Sequence, residues 1–171
     1  MCRVAIIGNV GGGKSTLCRG LAQSKRLPLT TVDKLQWRPG WTLTPREALD
    51  SALDAIQEKD LWIIDGWGSW RSIELRFERA DTIIFVDHAV WVHFWFAAKR
   101  QLKAFIAPDR VDTPEGCDLS KVTREIFEMI WRIHTQMRDR LLSLIDAHRG
   151  NKAIYHIRSP RELRRFVREH C

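Results

Sequence analysis

The segment "IIGNVGGGKST", residues 6–16, determines how the rest of the sequence is interpreted. It matches the pattern G-x-x-x-x-G-K-[S/T], whose four specified positions are Gly8, Gly13, Lys14 and Ser15. Residues 4–7 before it are apolar and predict a buried strand, and the leucines at 17 and 21 lie on one face of a predicted helix. A strand, a glycine-rich loop and a helix in this order predict a phosphate-binding loop.

The chemistry of such a loop explains its residue types. Glycines allow consecutive backbone N–H groups to turn towards phosphate oxygens, and the N-terminus of the following helix adds a favourable dipole. Lys14 can reach the β- and γ-phosphates, and the Ser15 hydroxyl can ligate Mg²⁺. The chain is therefore predicted to bind ATP with Mg²⁺ through Gly8, Gly11, Gly12, Gly13, Lys14, Ser15 and Thr16. No base-specific motif distinguishes ATP from GTP.

Length, charge and cysteines narrow the class of protein. The chain has 171 residues, the usual size of one domain, and a formal net charge of +7. Its four cysteines are scattered without metal-like spacing, which predicts free thiols and a cytoplasmic location. The longest apolar run, "AVWVHFWFAA", is ten residues long and contains a histidine, too short to span a bilayer. No membrane association is expected.

Five apolar segments predict the strands of one sheet: residues 4–7, "LPLTTVD", "LWIIDG", "DTIIFVD" and "KAIYHI". Helical patterns alternate with them, which predicts a three-layer α/β fold with a five-stranded parallel sheet. Parallel strands present their carboxyl ends at one edge of the sheet, where ligands bind. The residues that follow the first four strands are expected to meet at that edge; they are Gly8, Asp33, Asp65 and Asp87.

The helix boundaries also have local signals. "TPRE" predicts a helix start with Thr44 as N-cap and Glu47 closing a capping box, and "SPRE" predicts the same with Ser159 and Glu162. "KLQWRPGW" predicts a loop. A tryptophan-rich helix is expected over about 89–105, and apolar spacing predicts one continuous helix from Lys121 for about seven turns.

These segments, in this order, resemble the small P-loop kinases related to adenylate kinase, and most closely the topology-modulation or adenylate-kinase-like proteins. The resemblance rests on "GNVGGGKST", "VDKLQWRPGW", "WIIDGW", "RADTIIFVD" and "PEGCD" before a long helix. It covers essentially the whole chain. It implies one P-loop NTPase domain of the nucleoside-monophosphate-kinase type over residues 1–171, with an acceptor-side insertion at about 34–60 and a lid-like stretch at about 99–120.

The resemblance also implies roles for particular residues. Cations of the lid-like stretch would neutralise the transferred phosphoryl group, with Arg100 the first candidate for the lid arginine and Arg110 the second. Asp65 would orient Mg²⁺ through water, together with Ser15. Asp33 would bind or deprotonate the hydroxyl of a small-molecule acceptor. The alternatives are a solvated helix end for Arg100 and turn or capping carboxylates for Asp33 and Asp65.

The acceptor side departs from true adenylate kinases, which hold the phosphate of AMP with an arginine close behind the D-G pair. In this chain, "DGWGSWR", four residues separate the D-G pair from Arg71. Four tryptophans are expected to crowd this side, where they would stack on an acceptor ring or pack as core; they are Trp37, Trp41, Trp67 and Trp70. Trp37 and Arg71 are therefore candidate acceptor contacts beside Asp33, and AMP is disfavoured as the acceptor.

The sequence supports an ATP-dependent kinase of a small molecule, and a nucleotide or nucleoside fits that class. The alternative is an ATP-binding protein or regulator associated with nucleic acid, supported by the charge of +7 and by four arginines in the last predicted helix. Those arginines spread around the helix, and no nucleic-acid-binding motif is present. Transfer to a 5′-hydroxyl of nucleic acid would combine both features. Neither the acceptor nor the oligomeric state follows from the sequence.

Overall fold

The glycine-rich loop joins the first strand to the first helix, in a computed structural model that describes residues 1–106 and 113–171. In chain order, the first half contains β1 (Arg3–Gly8), α1 (Lys14–Lys25), β2 (Leu29–Thr31), α2 (Val32–Gln36), β3 (Trp37–Arg38), β4 (Thr42–Leu43), α3 (Arg46–Gln57), β5 (Trp62–Asp65), α4 (Trp70–Arg79) and β6 (Thr82–Val86). The second half contains α5 (Val90–Ile106), a 3-10 turn (Leu119–Val122), α6 (Thr123–Arg132), a π-helical segment (Ile133–Met137), α7 (Arg138–Asp146), β7 (Ala153–Ile157) and α8 (Pro160–His170).

Five strands form one parallel sheet in the order β2-β5-β1-β6-β7. β1 lies at the centre, where Ala5 pairs with Ile64 of β5 on one side and Ile83 of β6 on the other. β3 and β4 form a separate antiparallel pair. The predicted α/β fold with a five-stranded parallel sheet, of the nucleoside-monophosphate-kinase type, is confirmed.

Helices cover both faces of this sheet, which explains why its central strands are continuous apolar runs. On one face α1 and α8 bury Leu17, Leu21 and Phe166 against the strands. On the other face α3, α4 and α7 form a second cluster that contains Leu53 and Phe77. With both faces covered, the loops at the carboxyl edge of the sheet are left for binding, as predicted.

Of the two predicted capping boxes, one is confirmed and one is wrong. The Glu162 N–H donates to the Ser159 hydroxyl at 3.2 Å, and the Glu162 carboxylate accepts from the N–H of Arg158 at 2.7 Å. At the start of α3, Pro45 occupies the cap position without a side-chain hydrogen bond. The Thr44 hydroxyl donates instead to the Leu35 carbonyl at 2.7 Å, which ties the residue after β4 to α2.

Two further expectations need correction. "KLQWRPGW" is not a simple loop, because its first residues complete the short helix α2, Trp37 begins β3 and Trp41 ends the 3-10 turn before β4. The long helix after residue 121 forms one helical run from Thr123 to Asp146, but it is not α-helical throughout, because the π-helical segment lies between α6 and α7. The Asn9 side chain donates to the Ile130 carbonyl at 2.9 Å just before that segment, and a side chain that occupies a helix carbonyl is a known cause of such interruptions.

The tryptophan-rich helix was predicted within one residue at each end, over 89–105, and α5 runs from Val90 to Ile106. α5 is rich in apolar residues, yet neither it nor any other helix within the described residues is long and apolar enough to cross a membrane.

Candidate active site

The phosphate-binding loop lies between the end of β1 and the start of α1 at Lys14. Gly11 and Gly13 have φ values of 73° and 79°, in the left-handed region that favours glycine. A Cβ on Gly11 would lie 2.9 Å from the His93 carbonyl oxygen, so the loop is packed closely against α5. The first N–H groups of α1 have no intrahelical partner and are available to an anion. This geometry fits a bound phosphate.

Side chains from outside and within the loop hold its backbone in place. The Trp67 indole N–H donates to the Gly8 carbonyl at 3.0 Å. The Lys14 ammonium donates to the Asn9 carbonyl at 2.6 Å, across the loop. Asn9 in turn reaches α6 through its bond to Ile130. The loop is therefore connected to the turn after β5 and to α6 as well as to the sheet.

Two buried histidines complete this support. His93 Nδ1 lies 2.8 Å from the Val10 carbonyl oxygen, and His88 Nε2 lies 3.2 Å from that of Gly12. Because a carbonyl oxygen only accepts, we assign the proton of each ring to these nitrogens. Burial lowers the pKa of His93 to about 4 and also lowers the pKa of His88, so both rings are neutral at neutral pH. Their rings stack at 5.4 Å between centroids.

Asp65, at the end of β5, is buried beside the loop with 5% of its surface exposed. The Cys18 thiol donates to its carboxylate, while the Oδ1 atom has no hydrogen-bond partner among the described residues. Burial raises the pKa of Asp65; the Lys14 ammonium counters this increase and the negative charge of Asp33 adds to it. Lys14, Asp33 and Asp65 therefore lie within electrostatic reach of one another.

Asp33 lies in the first turn of α2, directly after β2. Its side chain is accessible to water, yet the protein around it desolvates the carboxyl and raises its pKa, as in a cleft. Lys14 and Arg100 both oppose that increase, so the Arg100 guanidinium on α5 also reaches this group electrostatically. Arg110, the second predicted lid cation, lies outside the described residues.

The oxygen atoms near the loop fit a magnesium ion. Mg²⁺ prefers hard oxygen ligands and keeps several of its waters. Ser15 lies in the first turn of α1, half-buried, and the unpartnered Oδ1 of Asp65 can accept a hydrogen bond from a metal-bound water. These two residues, which the sequence predicted, match the ion by the chemistry of their donors.

The predicted acceptor loop contacts the last part of the predicted lid-like stretch. The Trp41 indole N–H donates to the Asp118 carbonyl at 2.9 Å, and the Gly40 N–H donates to the Gly116 carbonyl at 3.0 Å. Trp37 packs edge-to-face on Trp41 with ring centroids 5.5 Å apart. The turn between β3 and β4 is therefore hydrogen-bonded to residues 116–118 of the predicted lid-like stretch.

The other predicted acceptor residues are engaged elsewhere. Arg71 forms two hydrogen bonds with Asp54 of α3, at 2.8 and 3.2 Å. Trp70 packs edge-to-face on Trp67, and the Arg140 guanidinium lies 4.1 Å from the Trp70 ring centroid. Trp67 and Trp70 thus pack within the fold, which is the alternative to binding an acceptor ring.

Arg76 shapes the turn after β5, although no motif in the sequence predicts this role. It is fully buried and donates to the carbonyls of Gly66 and Trp67, both at 2.7 Å. Burial lowers the pKa of its guanidinium to about 10, and the negative charge of Asp65 opposes that shift. By holding this turn, Arg76 positions Asp65 and the Trp67 indole.

Asp87 follows β6 as expected, but its carboxylate binds side chains other than those around Asp33 and Asp65. It accepts two hydrogen bonds from Arg138, both at 2.8 Å, and one from His156 at 2.8 Å. Burial would raise the pKa of Asp87, but these hydrogen bonds lower it below its usual value. An open cavity of about 570 Å³ adjoins this cluster. Asp87 is therefore paired with Arg138 and His156.

The sequence matches no protein-family model and no curated protein sequence. The fold is similar to that of a shikimate kinase from Acinetobacter baumannii, solved in complex with shikimate, with a TM-score of 0.59 and 13% identity, covering 99% of this chain and 90% of that chain. It is also similar to a shikimate kinase from Bacteroides thetaiotaomicron, with a TM-score of 0.55 and 15% identity, covering 98% and 95% of the two chains. The likeness shows the fold of the small P-loop kinases. The topology-modulation group stays a prediction.

Proposed function

We propose that this protein is an ATP-dependent kinase that transfers the γ-phosphoryl group to a hydroxyl of a small molecule. The observation that supports this most directly is the clustering of the Lys14 ammonium, the Arg100 guanidinium and the carboxylates of Asp33 and Asp65 at the phosphate-binding loop. Phosphoryl transfer depends on positioning and on neutralising charge, and this group of side chains supplies both.

The nucleotide would occupy the loop of Gly8, Gly11, Gly12 and Gly13, with its phosphates at the N-terminus of α1 and at Thr16. Lys14 would exchange its bond to the Asn9 carbonyl for the β- and γ-phosphate oxygens. Ser15 and Asp65 would hold the magnesium ion, Asp65 through a water. The ion, when bound, neutralises charge that develops on the phosphate oxygens.

Asp33 would act on the acceptor. As the acceptor oxygen forms its bond to the γ-phosphorus, the bond from that phosphorus to the β-γ bridging oxygen breaks and ADP leaves. The hydroxyl proton passes to the Asp33 carboxylate. A raised pKa strengthens Asp33 as a base, and Arg100, whose positive charge acts on Asp33, would stabilise charge on the transferred group.

The acceptor that fits best is a small hydroxylated molecule without a phosphate of its own. Arg71, the nearest arginine behind the D-G pair, is bound by Asp54, so AMP lacks its usual cation. Trp37 and Trp41 remain to contact an acceptor, at the turn between β3 and β4. Shikimate, which the Acinetobacter baumannii kinase binds, is a reasonable first compound of this class.

The test is to incubate the protein with Mg·ATP and a metabolite extract, with shikimate as a separate arm, and to identify phosphorylated products by mass spectrometry. Lys14→Ala should lose most of the transfer while its melting temperature without ligand stays close to that of the wild type. Lys59→Ala, an exposed lysine at the end of α3, is the matched control and should transfer normally.

A Lys14→Ala variant that transfers phosphate at the wild-type rate would overturn the proposal. DNA and RNA titrations at two salt concentrations form a further arm. Tight, salt-dependent binding of nucleic acid without any phosphorylated metabolite would favour the regulatory alternative.

A further inference from the structure

An apolar stripe covers the outer face of α5. Trp91, Trp95, Leu102 and Ile106 are 70%, 57%, 65% and 81% exposed. With Ala98, which is also exposed, they follow each other at intervals of three or four residues, which places all five on one face of the helix. The inner face contains the buried His93, Ala97 and Gln101. Because α5 is apolar on both sides, its outer side lacks the charged face of an ordinary surface helix.

Neighbouring residues extend this stripe. Phe94 of α5 stacks on Phe127 of α6 at 5.7 Å, and Trp131, one turn beyond Phe127, is 56% exposed. Since a tryptophan or phenylalanine can bury about 150–250 Å², these exposed fractions amount to roughly 700 Å² of apolar surface. The largest apolar patch of a typical monomer covers about 300–600 Å².

We propose that this stripe is the interface of a homodimer, formed by two copies of α5 packed antiparallel across a two-fold axis. A two-fold interface must be self-complementary, and the spacing of the stripe has that property. Its four large members are arranged symmetrically about the midpoint between Ala98 and Lys99. In an antiparallel pair, Trp91 therefore faces Ile106 of the second copy, and Trp95 faces Leu102.

Side-chain size and charge agree with this arrangement. Ala98 lies at the axis, where a small side chain allows two helices to approach closely. Each large aromatic ring faces an aliphatic side chain, so volumes are balanced along the interface. Lys99 lies beside the stripe with its ammonium 5.0 Å from the Trp95 ring centroid, at the rim where charge can stay hydrated.

The area supports a second copy as the occupant. A standard interface covers about 800 Å² on each partner, and roughly 700 Å² of exposed apolar side chain before any polar rim is close to that value. The inference does not depend on the proposed kinase reaction, since it concerns the outer side of α5, whereas the loop contacts the inner side.

The first experiment measures mass by light scattering and sedimentation over a wide range of protein concentration. The wild type should be a dimer, and Trp95→Glu should raise the dimer dissociation constant at least a hundredfold because it buries an unpaired charge. Leu61→Glu, at an exposed leucine outside the stripe, should leave the dimer intact. A wild type that is monomeric at all concentrations, or a dimer that Trp95→Glu does not weaken, overturns the proposal.

The second experiment tests the geometry directly, and does so even if a charged variant folds poorly. In a background with Cys2, Cys117 and Cys171 replaced by serine, Ala98→Cys should form a covalent dimer under mild oxidation, because symmetry places its two copies close together. Ala55→Cys, exposed on α3, should not. A crosslink at Ala55 and none at Ala98 overturns the arrangement. Single-stranded DNA binding by a monomeric wild type would also overturn it, in favour of bases stacked on the tryptophans.

Discussion

The hydrogen bond from His93 to the phosphate-binding loop gives the sharpest prediction for nucleotide affinity. His93→Leu removes the Nδ1 donor that lies 2.8 Å from the Val10 carbonyl, while keeping an apolar side chain of related size on α5. His93→Asn is the matched variant, because the amide nitrogen of asparagine occupies nearly the position of the imidazole Nδ1. The two variants therefore separate the hydrogen bond from the packing of the ring.

The expected magnitude follows from the environment of that bond. A neutral intramolecular hydrogen bond contributes about 0.5–1.5 kcal/mol net, and Val10 is half-buried, so water can replace part of the lost donor. If the loss falls on the loop conformation that binds phosphate, the dissociation constant for Mg·ATP should rise about two- to tenfold, since 1.4 kcal/mol corresponds to a factor of ten. His93→Asn should stay within about twofold of the wild type, which is below 0.5 kcal/mol.

The assay is calorimetric titration with a non-hydrolysable ATP analogue and Mg²⁺, with melting temperature as a check that each variant is folded. His93→Leu binding as tightly as the wild type would refute the role of the hydrogen bond. Equal losses in His93→Leu and His93→Asn would refute it too, because that outcome assigns the effect to ring packing alone.

Three further predictions concern the ionisable groups of the site. Asp33→Asn should keep its affinity for Mg·ATP and lose on the order of a hundredfold in transfer rate, at the low end of general-base contributions. Asp65→Asn should instead change the dependence of the transfer rate on Mg²⁺. Steady-state kinetics of each variant over ATP and Mg²⁺ separates the two roles, and an unchanged rate in Asp33→Asn makes that residue structural. Asp65→Asn should also raise the melting temperature at neutral pH, by about 2–4 °C for each 1 kcal/mol gained in the free energy of unfolding. Burial raises the pKa of Asp65, so its negative charge destabilises the fold above that pKa, and the gain should disappear as pH falls towards 3.8. A lower melting temperature at pH 7 contradicts this. His93 has a folded pKa of about 4, below its usual 6.5, so it should lower the stability of the protein as pH falls from about 6.5 to 4. His93→Asn should therefore flatten the dependence of melting temperature on pH in that window. An unchanged slope is the contrary result.

The sheet and the loop could be predicted because their signals are local. β1, β5 and β6 are buried on both faces, and a strand of that kind appears in sequence as a short continuous apolar run. The glycine-rich loop adds fixed spacing, and the capping box at Ser159 adds a four-residue signal. Each of these depends on neighbours in sequence, so each can be recognised without knowing the fold.

The support of the site could not be predicted, because it depends on partners far apart in the chain. His93 and Val10 are separated by 83 residues, and the sequence shows only a histidine within an apolar run. Arg71 and Asp87 illustrate the converse. Both were expected to face the ligand on grounds of position, and both are bound by charged residues on other helices, Asp54 and Arg138. Position along the sequence therefore does not show whether a charged residue faces the ligand, because another charged residue can bind its side chain first.

The two faces of α5 connect these observations. An amphipathic helix shows its buried side by contrast with a charged side, and in α5 that contrast is missing, because Trp91 and Trp95 lie opposite His93 and Ala97. The inner side is fixed by the loop, where His93 donates to Val10 and a Cβ at Gly11 would meet its carbonyl. A helix that packs on the phosphate-binding loop must itself be held firmly, since any shift of α5 moves the Val10 carbonyl with it. A second copy packed on the outer side would supply that constraint. It would also explain why α5 has an apolar outer face although its inner face supports a polar loop.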